Sequence, residues 1–504
     1  MPLILSGNVA SATASTGFNV DNSLRFNSAD SAHLDLTDPP GNNYYSQFTW
    51  SFWVKRCKLG SEQYIVQSSL TADSNFTGIS FNSSDQLAVQ LYDSTCVLQL
   101  SMITNRLFRD VSAWYHIMVC FDLNDGTTAD RLKIYVNGTR ETSFATSTIP
   151  GAGFQSACFI DSADPLYIGR GRNPSGSTVY SDFYLAQFLC VTPDSGDSNG
   201  ENSDAELIPT QVGEFNEDTP TVFQPIEIDA AVLGASLDMS DNLGTNGFFL
   251  DFADSANLGN DVNGGTDWDE NNIDATDQAT DTPTNNFATF NSLSKIDSGT
   301  RTFSEGNLYT AHSGSDSKFC SYSTIGVTSG KWYGEFKFAA SSGGTDLEVG
   351  VGYDVEDANR LGKEFGYTDG TYGYNSYGNI HNDSNESSYG NTLAVGDIVG
   401  IALDLDNHKL YFSKNGTWQD SGDPESGATG TGSAFDLTTG ETYFMGASHG
   451  TATTRTTDYA GNYGGCPAFT ISSGNADGNG YGNFEYAPPS GYYALCTKNL
   501  AEYG

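Results

Sequence analysis

Positive charge is scarce in this sequence. It has 22 lysines and arginines against 62 aspartates and glutamates, a formal net charge of −40. Such a chain repels phosphate backbones and anionic headgroups, which argues against direct binding to nucleic acid or an anionic membrane face. The acidity has two readings: solubility in salty water, which screens self-repulsion, or binding of divalent cations. No apolar run is long enough to span a bilayer, so membrane insertion is not expected. The opening Met1-Pro2-Leu3-Ile4-Leu5 lacks a basic n-region and its apolar run is short, so no secretory signal is read. The 8 cysteines are scattered, with no C-x-x-C pair. That spacing argues against zinc and, for a chain made in a reducing cytosol, against a disulfide framework. Buried thiols acting as small hydrophobes are the expectation. Heptads are also missing, so nothing indicates a coiled coil.

What is abundant is glycine (56 residues) and aromatic side chains (12%), while only 17% of residues are charged. Short apolar runs alternate with Asn, Ser, Thr, Asp and Gly. This composition predicts an all-β chain with many turns. At 504 residues the chain is too long for one core and divides into two or three domains. In residues 331–422 apolar residues recur at period two: Trp332, Gly334, Phe336 and Phe338 alternate with Tyr333, Glu335 and Lys337, and Ile401, Leu403 and Leu405 repeat the spacing. These are half-buried strands. Asp406-Asn407-His408 supplies a turn, and Lys414-Asn415-Gly416 closes the next strand.

This stretch resembles the SPRY domain. The matching residues are Trp332-Tyr333-x-Glu335, Val349-Gly350-Val351-Gly352, Gly400-Ile401-x-Leu403-Asp404-x-Asp406 followed by Phe412-x-x-Asn415-Gly416, and Gly446-Ala447-Ser448. The resemblance implies a β-sandwich that binds partners through loops and is not an enzyme.

Earlier in the chain, strands begin at Leu24. Phe48-Thr49-Trp50-Ser51-Phe52-Trp53-Val54, then Trp114-Tyr115-His116 leading to Asp122, Ile134-Tyr135-Val136-Asn137-Gly138 and Tyr167-Ile168-Gly169 are in the order and spacing of the laminin-G-like, concanavalin A-like superfamily, which residues 24–193 resemble. The superfamily's closing Gly-x-Ile-Asp-Glu-Val strand is replaced by Tyr184-Leu185-Ala186-Gln187-Phe188, so the acidic residues often found there are missing, which argues against a family calcium site. Relatives that hydrolyse glycans carry Glu-x-Asp-x-Glu, with carboxylates on one strand face for acid/base work. No such triplet occurs here, and Glu214-Phe215-Asn216-Glu217-Asp218 has the wrong spacing. His116, on an apolar strand with no second ligand nearby, reads as a packed structural histidine.

Residues 194–300 are rich in Asp, Asn, Gly and Thr, with Lys295 the only basic residue. Gly247-Phe248-Phe249-Leu250-Asp251-Phe252 and Phe287-Ala288-Thr289-Phe290 are apolar enough to bury, so the segment reads as a connector that packs on its neighbours. Asp251, Asp254 and Asp261 are candidate calcium ligands through carboxylate oxygens, without EF-hand spacing; the plain alternative is a solvated acidic loop. No other cofactor is expected. This connector, with Leu258-Gly259-Asn260-Asp261 and Trp268-x-x-Asn271-Asn272-Ile273, is similar to segments of marine bacteriophage structural proteins. So are residues 3–12, Ser23-Leu24-Arg25-Phe26-Asn27, and residues 486–500. Those proteins join a lectin-like sandwich, an Asp/Asn-rich connector and a SPRY domain in this order.

The expected architecture is all-β: two antiparallel, jelly-roll-like β-sandwiches joined by the Asp/Asn-rich connector. Residues 1–23 form an N-terminal arm, free or ordered on a partner. Residues 24–193 form the first sandwich, 194–300 the connector, 301–459 the SPRY-like sandwich, and 460–504 a Gly/Asn-rich end whose short apolar runs add edge strands. Within 365–389, Tyr367, Tyr372, Tyr374, Tyr377, Asn379 and Tyr389 are candidate ligand-binding residues. Rigid aromatic area among adaptable polar neighbours suits recognition, and sugars above all, because C–H faces stack on rings while amides bond hydroxyls. The alternative is that some of these tyrosines are strand residues facing the core. The Gly/Ser/Asp-rich loop 419–433 reads as mobile.

The phage resemblance implies a virion protein, a fibre or spike assembled in the bacterial host cytoplasm and exposed on the particle. It would attach to other virion proteins through its N-terminal part and bind a host cell-surface molecule, a glycan or a protein, as a homo-oligomer with a trimer the natural guess. Alternatives are a head fibre or capsid decoration protein with a structural role, and a glycan-degrading spike.

Overall fold

The structure is a computed structural model, and the residues it describes are 4–5, 17–37, 47–69, 76–92, 97–152, 165–173, 176–194, 205–237, 239, 242–294, 300–313, 319–342, 347–353, 355, 363–449 and 456–504. The chain divides into two compact units, Ser15–Thr284 and Met1–Ala14 with Asn285–Gly504. Both are antiparallel sandwiches, so the all-β expectation holds. No helix among the described residues is long and apolar enough to cross a membrane.

In the unit Ser15–Thr284 two eight-stranded sheets face each other. The first centres on Gln47–Arg56, between Trp114–Asp122 and Phe183–Val191. The second runs from Phe144–Thr148 through Leu98–Leu107, Gln86–Tyr92, Phe76–Phe81, Gln63–Ser69, Leu166–Ile168 and His33–Leu36 to Asp269–Asn271. Alternate residues of both sheets, such as Phe26, Leu34, Trp50, Phe52, Val66, Ile79 and Ile134, fill the space between them. Asn137-Gly138 turns the hairpin between Leu132–Val136 and Thr139–Arg140 with both residues at positive φ, +49° and +71°, a conformation that suits this dipeptide.

The segment read as a connector belongs, up to Thr284, to this unit. Phe248–Leu250 pairs with Phe183–Val191, Asp269–Asn271 with His33–Leu36, and Gln278–Ala279 with Ser23–Phe26. Ala205, Leu207, Leu233, Leu237, Leu243 and Phe249 cover Met118, Cys120, Leu189 and Val191 on the outer face of the first sheet. This explains why Gln47–Arg56 is buried along its whole length and carries aromatic residues at consecutive positions: both of its faces are covered. Leu233 belongs to the helix Ala230–Ser236, capped by Asp229, whose carboxylate accepts from the Ala231 and Val232 N–H groups.

In the second unit a nine-stranded sheet centres on Lys331–Ser342, between Thr456–Asn462 and Ile398–Asp404, and faces a six-stranded sheet. The six-stranded order is Phe319–Tyr322, Phe444–His449, Leu347–Gly352, Thr371–Asn375, Asn379–Asn382 and Asn385–Ser388. The Lys414-Asn415-Gly416 turn is as expected, with φ +47° at Asn415 and +78° at Gly416. Residues 285–294 fall in this unit and not in the other: Phe287 bridges to Cys496, and Phe290 to Ser323. The C-terminal end adds one short strand, Tyr493–Ala494, parallel to Lys331–Ser342, and ends in the helix Thr497–Tyr503. Phe484 makes only an isolated bridge, to Asn475.

Of the N-terminal arm, residues 1–3 and 6–16 lie outside the described residues. Ile4–Leu5 pairs in parallel with Ile325–Gly326 of its own chain. Cys96 and Cys158 also lie outside. The other six cysteines are buried free thiols, whose ionisation burial opposes; Cys120 is pushed up to about 12. His116 is buried in its strand, with Nε2 2.9 Å from the Ser51 hydroxyl oxygen, and burial lowers it to about 3. The 419–433 loop is built of tight turns and anchored: the buried Gln419 accepts through Oε1 from the Asn391 N–H at 2.8 Å.

Candidate functional site

The six-stranded sheet of the second unit has one apolar and one polar face, because side chains alternate across a strand. Val349, Val351, Tyr372, Tyr374, Met445 and Ala447 are buried on the inner face. On the other face a polar row crosses five strands through directly paired positions. Ser448 stands opposite Glu348, Glu348 opposite Asn375, Gly373 opposite His381, and His381 opposite Glu386. Gly373 leaves room for the carboxylate: a Cβ on it would lie 2.4 Å from Glu348 Oε1.

The inner end of this row is roofed. Phe365 packs edge-on against Tyr322 at 5.3 Å, and its N–H donates to the Ser448 hydroxyl oxygen at 3.0 Å. Ser448 in turn donates to Glu348 Oε2 at 3.4 Å. Burial pushes the Glu348 carboxyl up to about 7, against the pull of His381. His381 is half-buried with Nδ1 3.6 Å from Glu348 Oε1, and that carboxylate raises its basicity. Glu348 was absent from the sequence expectation, yet a lone carboxylate in the apolar run Leu347-Glu348-Val349-Gly350-Val351 is a legible signal for a special position.

The outer end of the row is open. Asn375 and Asn379 both donate their side-chain N–H groups to Glu386 Oε1, at 2.6 and 3.0 Å, and these bonds hold Glu386 below the usual carboxylate range. Asn375 Oδ1 accepts from the backbone N–H of Tyr377 and of Asn379, each at 3.1 Å, which fixes the turn carrying Tyr377. Asn385–Ser388 is the last strand of the sheet and is exposed throughout. Tyr377, 54% exposed, lies in the turn at one end of the Asn379–Asn382 strand. Tyr367, 38% exposed, lies at the other end, where the Ser384 hydroxyl donates to its carbonyl at 2.8 Å and the Lys363 ammonium sits 4.3 Å from its ring centre. The four-residue Asn379–Asn382 strand, about 10–13 Å long, runs between the two turns. Two exposed rings flanking an amide–carboxylate network make a surface that stacks apolar faces and bonds hydroxyl or amide groups.

The structure therefore divides the six predicted residues. Tyr377 and Asn379 are on the accessible hairpin, and Tyr367 is in a turn beside it. Tyr372, Tyr374 and Tyr389 are not accessible, and their assignment to ligand binding is corrected. Tyr372 and Tyr374, two apart on one strand, both point inward; Tyr372 packs on Phe435 at 5.2 Å and Tyr374 stacks on Phe412 at 5.3 Å. Their hydroxyls are engaged, that of Tyr372 3.1 Å from the Thr438 hydroxyl and that of Tyr374 donating to the Asn391 carbonyl at 2.6 Å. Tyr389 packs edge-on against Tyr374 and donates to the Gly432 carbonyl at 2.9 Å. Asn375, His381 and Glu386 enter the site in their place.

The three candidate calcium ligands do not converge. Asp251 and Asp254 each accept a backbone N–H two residues ahead, from Ala253 and Ala256. Asp261 is buried and accepts three backbone N–H groups, from Phe249, Asn263 and Gly265, so it organises its own loop. Among the described residues no group of three or more His, Cys, Asp or Glu is arranged to hold a metal ion.

Comparison with known proteins gives two family matches. Residues 27–188 match the model described as the concanavalin A-like lectin/glucanases superfamily, and residues 331–435 match the SPRY domain model. No curated protein matches the chain. Similar solved structures include the SPRY domain of human HERC1, at 21% identity over 32% of this chain and 90% of that one, with a TM-score of 0.24. Others are the native heptameric SAP-like pentraxin from Limulus polyphemus, at 15% identity over 34% and 77% of the two chains, with a TM-score of 0.25, and the LG1-3 region of the laminin alpha2 chain, at 10% over 89% and 64%, with a TM-score of 0.31. None of these three likenesses says what this chain binds. The chain carries a concanavalin A-like, laminin G-type domain and a SPRY domain.

Proposed function

We propose that this protein is a surface component of a bacteriophage particle that binds a host cell-surface glycan through the open hairpin of its SPRY domain. The observation that carries this reading is the pair of exposed rings, Tyr367 and Tyr377, at the two ends of a strand that presents Asn379 toward Glu386. Binding proceeds by stacking and hydrogen bonding, without covalent chemistry. The virion setting rests on the resemblance of the connector and both ends of the chain to marine bacteriophage structural proteins. Several copies on one particle, three in a trimeric fibre, would add weak sites into strong attachment.

A structural head fibre or decoration protein is the second reading. It is favoured by one observation: Ile4–Leu5 of the N-terminal arm pairs with its own chain. The two readings separate in an adsorption assay. Purified full-length protein, added to host cells before the phage that encodes it, slows adsorption if the hairpin binds the receptor. The variant Tyr377→Ala with Glu386→Ala, both at exposed positions, then loses at least tenfold in competing strength. Native protein that neither binds cells nor slows adsorption sinks the receptor reading and leaves the structural one.

A further inference from the structure

A second polar surface lies on the other unit, on the outer face of the sheet that contains His33–Leu36. Gly169 sets it up. With φ +80°, and the ring of Phe26 where a side chain would be (2.4 Å from a Cβ), Gly169 turns the chain out of the Leu166–Ile168 strand into a separate two-stranded ribbon, Arg170–Arg172 paired with Thr178–Tyr180. The turn places the Arg170 guanidinium 4.1 Å from the centre of the Tyr167 ring. Tyr180 is the cross-strand partner of Arg170. His33 lies 5.5 Å from the Tyr180 ring and 6.2 Å from that of Tyr167. Tyr167 stands directly opposite Asp35, and Asp35 opposite Asp269.

Arg170 is unusual in this chain. Acids outnumber bases by nearly three to one, and arginines of the same unit are committed: Arg25 to Asp277, Arg56 and Arg109 to Asp85, Arg106 to Glu141, Arg140 to Asp130. Arg170 enters no salt bridge or hydrogen bond among the described residues. Its Nε is buried without a partner, and its charge reaches His33 and Asp35 only through space. A half-buried guanidinium stacked on a tyrosine, with its donors unpaired, is preorganised for a planar carboxylate, which it bonds through two parallel N–H groups. The ring of Tyr180 beside it, backed by the buried His33, suits the C–H face of a sugar, and Asp35 accepts from hydroxyls. Asp269 across from Asp35, and the −40 net charge, disfavour a densely charged polyanion.

We propose that Arg170, Tyr167, Tyr180 and Asp35, with His33 buried behind Tyr180, form a binding site for an acidic sugar, a saccharide unit carrying one carboxylate. The guanidinium takes the carboxylate, the rings take the apolar face, and Asp35 takes a hydroxyl. This site is separate from the hairpin of the SPRY domain, and either one can fail without the other.

Isothermal titration of the full-length protein tests it, with trigalacturonic acid and 3′-sialyllactose as probes, each against its own methyl ester at physiological salt. At least one acid binds tenfold or more tighter than its ester. Arg170→Gln removes that preference, while Arg170→Lys, which keeps the charge without the fork, retains part of it. Equal binding of acid and ester, no binding of either acid, or an acid preference surviving in folded Arg170→Gln overturns the proposal. The acid–ester comparison on the native protein stands whether or not a variant folds.

Discussion

Two buried carboxylates of Ser15–Thr284 and two of the second unit are met in opposite ways. In the first unit Asp281 and Asp85 meet buried cations. Lys55 Nζ lies 2.6 Å from Asp281 Oδ2 with both side chains almost wholly enclosed, and the Trp114 indole N–H donates to the other oxygen at 3.1 Å. Arg56 reaches Asp85 at 3.3 Å and donates to the Phe108 carbonyl at 2.6 Å. In the second unit the enclosed Glu335 has no cation among the described residues. It accepts from the Tyr333 hydroxyl, the Asn462 side chain, and the backbone N–H groups of Glu485 and Tyr486, at 2.8–3.1 Å. Among the described residues Glu348 is met by Ser448 and His381. A paired charge keeps its ionised form under burial, whereas a carboxylate met by neutral donors is pushed toward its protonated form. Burial raises Glu335 to about 7, as it does Glu348. Asp85 shows the contrast: burial pushes it up, but the Gly60 N–H, Arg109 and Arg56 together hold it below its ordinary value.

Breaking the cationic pair has the largest expected effect. Lys55→Met leaves Asp281 buried and unpaired and destabilises its unit by about 3–5 kcal/mol, while Lys55→Met with Asp281→Leu recovers most of that loss. Urea unfolding followed by peptide-resolved hydrogen exchange measures both; a double variant as unstable as the single one contradicts the pairing account. In the other unit, Glu335→Ala strips four donors of their acceptor and costs about 3 kcal/mol. Exchange protection should drop first at Glu485 and Tyr486, whose N–H groups it holds.

The pH dependence separates the units by sign. Glu335 and Glu348 have folded values above the unfolded carboxylate value, so their contribution is fully present below about pH 4.5 and is lost as pH rises through about 7. His381, also raised, acts in the same direction. Asp85 and Glu141 are depressed, so their contribution is present above about pH 4 and is lost as pH falls. Between pH 5 and 8 the SPRY unit loses exchange-derived stability, while the lectin-like unit gains it up to about pH 6.5, because the buried His116 stays neutral where its unfolded counterpart is protonated. Equal slopes would remove the distinction. The smallest stability effect is expected from Tyr377→Ala, within about 0.5 kcal/mol, because an exposed turn residue packs against little. Its cost is in binding.

Much of this fold is legible in the sequence. The Asn-Gly turns at 137–138 and 415–416 occur where positive φ is needed, and the alternation of Trp332, Phe336 and Phe338 with Tyr333 and Glu335 marks which residues face inward. The candidate site is half legible. Thr371-Tyr372-Gly373-Tyr374-Asn375 has the period-two pattern of a strand with one ring-bearing face, and that pattern puts Tyr372 and Tyr374 in the core. Reading the tyrosines as one recognition loop weighs composition over period. Asn375, His381 and Glu386 are not legible as a set, because strand pairing, not sequence proximity, aligns them.

The sequence by itself determined the local alternation, the turns and the two-sandwich order, since these depend on side-chain volume and backbone preference over a few residues. The tertiary structure alone decided what covers each sheet's outer face. Residues 205–284 carry no clear period, yet they bury the outside of Trp114–Asp122 and Phe183–Val191. The C-terminal residues Phe484, Tyr492 and Ala494 likewise pack over Tyr333. Glu335 occupies an outward position in its strand, where alternation expects water; the cover turns it into an enclosed acid. The Arg170 side chain has no ion partner among the described residues for the same kind of reason. Whether a charge finds a partner depends on which distant strand lies beside it, and that is fixed only when the sheets assemble.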